Sequence, residues 1–196
     1  MKYGELTLGQ MEVIVNKLGG MEGVKRFLAG ELNVVAAAVK KLLALVTTAE
    51  VTSNESFVVA EKFREGETTD GVKIAWVGGN FKQHLLGKTE TSVAPATLRI
   101  YKLKEDSFDA PVLAELGDTA ETTLAHFWEL LKKQGRGQKG KLLVNGYANI
   151  AYIRDASGTR WAVSAYWCAG LDGWFVEAYP VTDPIRWLAD RPVISR

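Results

Sequence analysis

The sequence predicts an α+β protein with an N-terminal helical hairpin, a mixed body carrying one long amphipathic helix, and a C-terminal antiparallel β-meander. Three observations carry that prediction. Apolar residues recur at helical spacing on either side of Gly19-Gly20, a second helical periodicity runs over residues 119–134, and the chain beyond residue 142 alternates at period two between turn signals.

Leu8, Met11, Val15 and Leu18 share one helical face, with Thr7 placed to cap it and Gly19-Gly20 to end it. Met21, Val24 and Leu28 continue on a shorter helix closed by Gly30, at the position that favours a left-handed cap. Residues 31–46 mix signals: Val34-Val35 predicts a short strand, and Ala36 to Val46 a helix built on good helix formers. Near residue 50 the texture turns to Thr, Ser, Val and Phe, which divides a helical region, 1–50, from an α+β body, 51–196. Within the body Val72 to Val77 reads as a buried strand, Gly78-Gly79-Asn80 as a turn, Phe81 to Leu86 as a short helix and Leu98 to Leu103 as a strand. Asp118 or Thr119 is placed to cap a helix over 119–134, whose Leu124, Phe127, Trp128 and Leu131 form its core face.

Four strands should follow, at Leu142 to Val144, Tyr147 to Arg154, Thr159 to Trp167 and Trp174 to Val181. Asn145-Gly146 and Asp155-Ala-Ser-Gly158 mark hairpin turns, because tight turns need residues that tolerate positive φ. Trp161, Val163, Ala165 and Trp167 would then face one side of the sheet. Pro184 to Asp190 reads as a short helix and Pro192 to Ser195 as an extended end.

Composition bounds the function classes. The 196 residues are 47% hydrophobic and 24% charged, an ordinary globular balance rather than a disordered one. Lys and Arg number 24 against 23 Asp and Glu, so no net field steers the molecule onto nucleic acid or an anionic membrane, and such binding would need a local patch. Cys168 is the only cysteine, which rules out an intramolecular disulfide and fits a reducing, cytoplasmic setting. The N-terminus lacks the apolar run of a signal peptide. The most apolar stretch, Val34 to Val46, is broken by Lys40-Lys41 and is shorter than the ~20 residues a spanning helix needs, so no membrane partner is expected.

Several stretches suggest chemistry. Gly135-Arg-Gly-Gln-Lys-Gly-Lys141 satisfies the GxxxxGK core of a phosphate-binding loop, but Leu142 stands where a Ser or Thr would ligate magnesium. The order is also inverted, with a helix C-terminus entering the loop and repelling phosphate. Lys132, Lys133, Arg136, Lys139 and Lys141 nevertheless form a basic patch that could meet nucleic acid or an acidic partner. The N-terminal hairpin has the order of a helix-turn-helix, yet Glu22 sits in the first turn of the second helix, where phosphates would lie. His84 and His126 lack partners at metal-binding spacing, and Cys168 follows Trp167 at a strand end with no base beside it in sequence. No cofactor, metal or catalytic residue is expected. Four of the six tryptophans lie in the last 36 residues. Beyond core packing, that density points to a sheet surface bearing Tyr166, Tyr179 and Trp187, with Arg154 and Arg160 as polar handles.

Leu18-Gly-Gly-Met-Glu-Gly-Val-Lys-Arg-Phe-Leu-Ala-Gly-Glu31, Leu113-Ala-Glu-Leu-Gly117, Ala120-Glu-Thr-Thr-Leu124, Asn145-Gly-Tyr-Ala-Asn-Ile-Ala-Tyr-Ile-Arg-Asp155 and Pro184-Ile-Arg-Trp187 form a pattern across most of the chain. It resembles a group of small uncharacterised bacterial proteins, a resemblance that implies no activity, cofactor or site residue. The leading expectation is a non-enzymatic protein that binds another protein or a small ligand on the aromatic and Arg-bearing sheet surface. The alternatives are a nucleic-acid-associated protein using residues 132–141 and the N-terminal hairpin, and an enzyme whose site assembles only in the fold.

Overall fold

The computed structural model describes residues 7–32 and 41–196, which belong to two units divided between Lys40 and Lys41. The first unit opens with α1 (Leu8–Lys17). Its cap is reciprocal: the Gln10 amide donates to the Thr7 hydroxyl at 3.3 Å, and the Thr7 amide donates to Gln10 Oε1 at 2.8 Å. Gly19, at φ 89°, turns the chain into α2 (Gly20–Leu28), giving the expected hairpin. A methyl group on Gly23 would sit 1.6 Å from the Leu18 carbonyl oxygen, so the glycine inside this helix is a packing requirement.

The body is built on a mixed sheet. In chain order its elements are β1 (Leu43–Val51), β2 (Asn54–Val58), α3 (Val59–Lys62), β3 (Thr68–Thr69), β4 (Val72–Val77), α4 (Gly79–His84), β5 (Thr89–Val93) and β6 (Ala96–Leu103). Then come α5 (Asp109–Leu116), α6 (Leu124–Lys132), β7 (Asn149–Arg154), β8 (Arg160–Cys168), β9 (Gly173–Pro180) and β10 (Pro192–Ser195). Eight strands form one sheet in the order β1-β6-β10-β7-β8-β9-β4-β3, while β2 and β5 pair separately. The meander β7-β8-β9 is antiparallel, as the turn signals predicted. Asp155 fixes its first turn, accepting from the Ser157 and Thr159 amides at 2.8 and 2.9 Å and from Trp161 Nε1 at 2.9 Å. Burial opposes ionisation of this carboxyl, but the hydrogen bonds outweigh it and hold the pKa at about 2.

Different elements pack the two faces of the sheet, the second face only in part. On one, Leu124, Phe127, Trp128 and Leu131 of α6 join Phe63 and Phe81 against Trp161, Val163, Ala165, Trp167 and Trp174. On the other, Val112 and Leu116 of α5 and Trp187 cover Leu43, Leu103, Ile150, Tyr152, Ala162 and Val193.

Several elements differ from expectation, each for a local reason. Leu43 to Val46 are strand, not helix, because pairing with β6 overrides the helix propensity of the Ala- and Leu-rich run; Val34-Val35 lies outside the described residues. The body accordingly begins at Lys41. The helix expected over 119–134 is shorter. Gly117–Thr119 is a 3-10 turn, Glu121 bridges Tyr152, and the helix runs Leu124–Lys132. Its start is set by Thr123, whose hydroxyl accepts the His126 amide, and by buried Glu90, which accepts the Leu124 and Ala125 amides at 3.1 and 2.8 Å. Leu142 to Val144 form no strand, since the Leu142 amide and carbonyl are taken by the Gln134 side chain, and Asn145-Gly146 therefore closes no hairpin. Residues 184–190 form no helix because Trp187 pairs in extended form with Ser107. Gly79 and Asn80 already belong to α4.

Among the described residues β1 is an edge strand, and an open edge is a template for pairing with another chain. Two features guard it. A bulge between Leu45 and Thr47 breaks its regularity, and the ammonium groups of Lys133 and Lys141 donate to the Glu50 and Thr48 carbonyls. Replacing both lysines with methionine keeps their stems and removes those donors. The double variant is expected to self-associate more than the parent chain in sedimentation velocity, and an unchanged profile would remove the guarding role.

Candidate binding face

Alternation along β9 decides what faces where. Trp174, Val176 and Ala178 enter the core under α6, so Phe175, Glu177 and Tyr179 must point to the opposite face. Register then gathers their neighbours: Tyr166 lies opposite Phe175, Ser164 opposite Glu177, and Trp76 of β4 beside Phe175. The result is a row of three rings across three strands. The Phe175 centroid is 5.6 Å from Trp76 and 5.1 Å from Tyr166. All three rings are half-buried, and none belongs to either core cluster. Helix α5 covers the β6-β10-β7 half of this side, which leaves the β8-β9-β4 half to the rings.

Glu177 stands beside that row. A methyl group on Gly78 would meet Glu177 Cγ at 3.1 Å and Trp76 Cη2 at 3.3 Å, so indole and carboxylate stem converge over this glycine. Gly78 has an ordinary φ of −66°, and its role is to leave room. The Tyr179 hydroxyl donates to Glu177 Oε2, while Tyr179 itself packs edge-on to Trp187 at 5.8 Å. Burial pushes the Glu177 pKa up. Burial, with the nearby Glu177 and Cys168, does the same to the Tyr166 hydroxyl.

The residues expected from sequence divide. Tyr166 and Tyr179 are on this face. Trp187 is 5% exposed and serves the core beneath Tyr179, which corrects its reading as a surface residue. Arg154 and Arg160 are not free handles: their Nε atoms donate to the two oxygens of Glu121 at 2.7 and 2.6 Å. Burial works against Glu121 ionising, but the two guanidinium groups outweigh it and lower its pKa. Trp76, Phe175 and Glu177 were missed. The period-two pattern of 174–180 carried the signal for Phe175 and Glu177, whereas Trp76 sits in a run that reads as wholly buried.

The phosphate-loop look-alike is explained by packing. A methyl group at Gly135 would lie 2.2 Å from the Gly71 carbonyl oxygen, one at Gly137 2.1 Å from the Trp167 ring, and one at Gly140 2.5 Å from the Gln134 side chain. Two of its amides are spent internally, with Arg136 N–H donating to Gln138 Oε1 and Gly137 N–H to the Gln134 carbonyl, both at 2.9 Å. The basic patch is likewise partly committed. Lys132 pairs with Glu129 at 2.9 Å, Lys133 and Lys141 hold β1, and Arg136 and Lys139 are exposed.

The catalytic alternatives find different uses for their residues. His126 is buried, with Nε2 at 2.8 Å from the Ala94 carbonyl, and His84 stacks on Trp161 at 4.4 Å between centroids. Cys168 is half-buried beside Tyr166 at the rim of a hollow of about 390 Å³. A larger cleft of about 530 Å³ between β1 and α5 contains Glu115, whose carboxylate is already taken by the Leu42 and Leu43 amides. Among the described residues no three His, Cys, Asp or Glu side chains gather as metal ligands, and no helix is long and apolar enough to cross a membrane. Comparison with family models, with curated proteins and with solved structures finds no match.

Proposed function

We propose that the body is a binding module whose ligand rests on the face formed by Trp76, Phe175, Tyr166, Glu177 and Tyr179. The observation that supports this reading is the placement of three adjacent, half-buried rings outside both cores, on the half of the sheet that α5 leaves open. Large rings left together at a surface mark contact sites, since burying them against a partner removes apolar area from water. A cytoplasmic protein with a single thiol, Cys168, fits the same reading.

Trp76 supplies a direct reporter. The other five tryptophans are buried and Trp76 is half-buried, so acrylamide should quench its emission preferentially. Members of a fragment library that bind this face are expected to protect that emission, and the response should disappear in Trp76→Phe. Hits that bind the protein without altering Trp76 quenching would overturn the reading.

A further inference from the structure

The chemistry of this face selects among ligands. Its rings offer π surfaces with one phenol oxygen, that of Tyr166, as their hydrogen-bond acceptor, and Glu177 offers one carboxylate whose Oε2 already accepts from Tyr179. Two of the three strands beneath are interior to the sheet, β8 between β7 and β9 and β9 between β8 and β4, so their carbonyls are engaged in ladders. A primary ammonium carries three N–H donors and would leave donors unmet here. An anion would face Glu177. An alkylated ammonium matches both features, because its charge is diffuse, its hydration weak and its attraction to aromatic faces strong.

We infer that this face recognises a methylated ammonium group, with the rings of Trp76, Phe175 and Tyr166 against its methyls and the Glu177 carboxylate balancing its charge. The inference rests on the binding reading above and specifies the ligand. Gly78 is part of the arrangement, since any side chain there would push apart the indole and the carboxylate stem that the cation must touch together.

The test compares choline with 3,3-dimethylbutan-1-ol, its uncharged isostere, by Trp76 quenching and calorimetry on the full chain, with sodium chloride as the ionic-strength control. Choline should protect Trp76 and bind at least about ten-fold more tightly than the alcohol, the discrimination expected of a cation–π site. Glu177→Gln, which keeps an acceptor for Tyr179, should weaken choline by about ten-fold and leave the alcohol unchanged. Phe175→Ala should abolish both interactions, and Glu177→Gln keeps the test valid if that variant fails to fold. Equal binding of the two compounds at Trp76 would overturn the cation and leave the binding face standing. Choline binding that ignores Glu177→Gln, or no choline binding at all, would also overturn it, while the fragment screen separately decides the fate of the face.

Discussion

Gly137→Ala is expected to destabilise the body by about 3 kcal/mol, against about 1 kcal/mol for Gly146→Ala. The two glycines share a left-handed backbone, with φ of 65° and 85°, so each alanine meets similar backbone strain. They differ in what surrounds them. A methyl group at Gly146 has nothing within 4 Å, whereas one at Gly137 would stand 2.1 Å from Trp167, whose ring packs against Trp174 in the core. The loop cannot easily lift away. Gln134 holds it through Gln138 and Leu142, and the Trp174 indole donates to the Gln134 carbonyl at 3.3 Å. Thermal unfolding should show a fall of roughly 6–12 °C for Gly137→Ala and a much smaller one for Gly146→Ala. Equal shifts would mean that the 135–140 glycines serve turn geometry rather than packing.

That contrast shows where the sequence was legible. Interactions spanning a few residues could be read directly: the Thr7 cap, the Gly19 turn, the Asp155 hairpin and the alternation of β8. Interactions spanning many residues could not. Helix propensity at 43–46 lost to pairing with β6, more than fifty residues away, and the start of α6 was set by Glu90 from another strand. The last strand enters the middle of the sheet, antiparallel to β6 and parallel to β7, a placement with no local signal. The binding face has the same origin. Tyr166 and Tyr179 were visible as members of an aromatic cluster, but their relation to Trp76 depends on the parallel pairing of β4 with β9. Arg154 and Arg160 looked like free handles because Glu121, which engages both, is remote in sequence.

Asp109→Ala is expected to cost about 3 kcal/mol, because one buried oxygen organises three segments. Asp109 opens α5, is fully buried, and through Oδ1 accepts the Tyr152 hydroxyl at 2.8 Å and the Trp187 indole N–H at 2.7 Å. Alanine would strand both donors in the second core. Oδ2 is enclosed without a hydrogen-bond partner among the described residues, and burial raises the carboxyl pKa despite the two donors on Oδ1. The sign of the pH effect follows. Below about pH 3.9 the group is protonated whether the chain is folded or not. As pH rises from there through the raised folded value, the unfolded chain releases its proton more readily, so this group's contribution to stability is lost and then stays constant. Asp109→Asn keeps an Oδ1 acceptor for Tyr152 and Trp187 but cannot ionise. Urea unfolding of parent and Asn variant across that window should therefore give a stability difference that moves against the parent as pH rises, then levels. Taking the difference also removes the opposite slope from Asp155, whose lowered pKa makes it stabilising above its unfolded value and progressively less so as pH falls towards about 2. A difference that is flat with pH would show that Asp109 carries no ionisation penalty, and a stable Asp109→Ala would show that the Tyr152 and Trp187 donors find other acceptors.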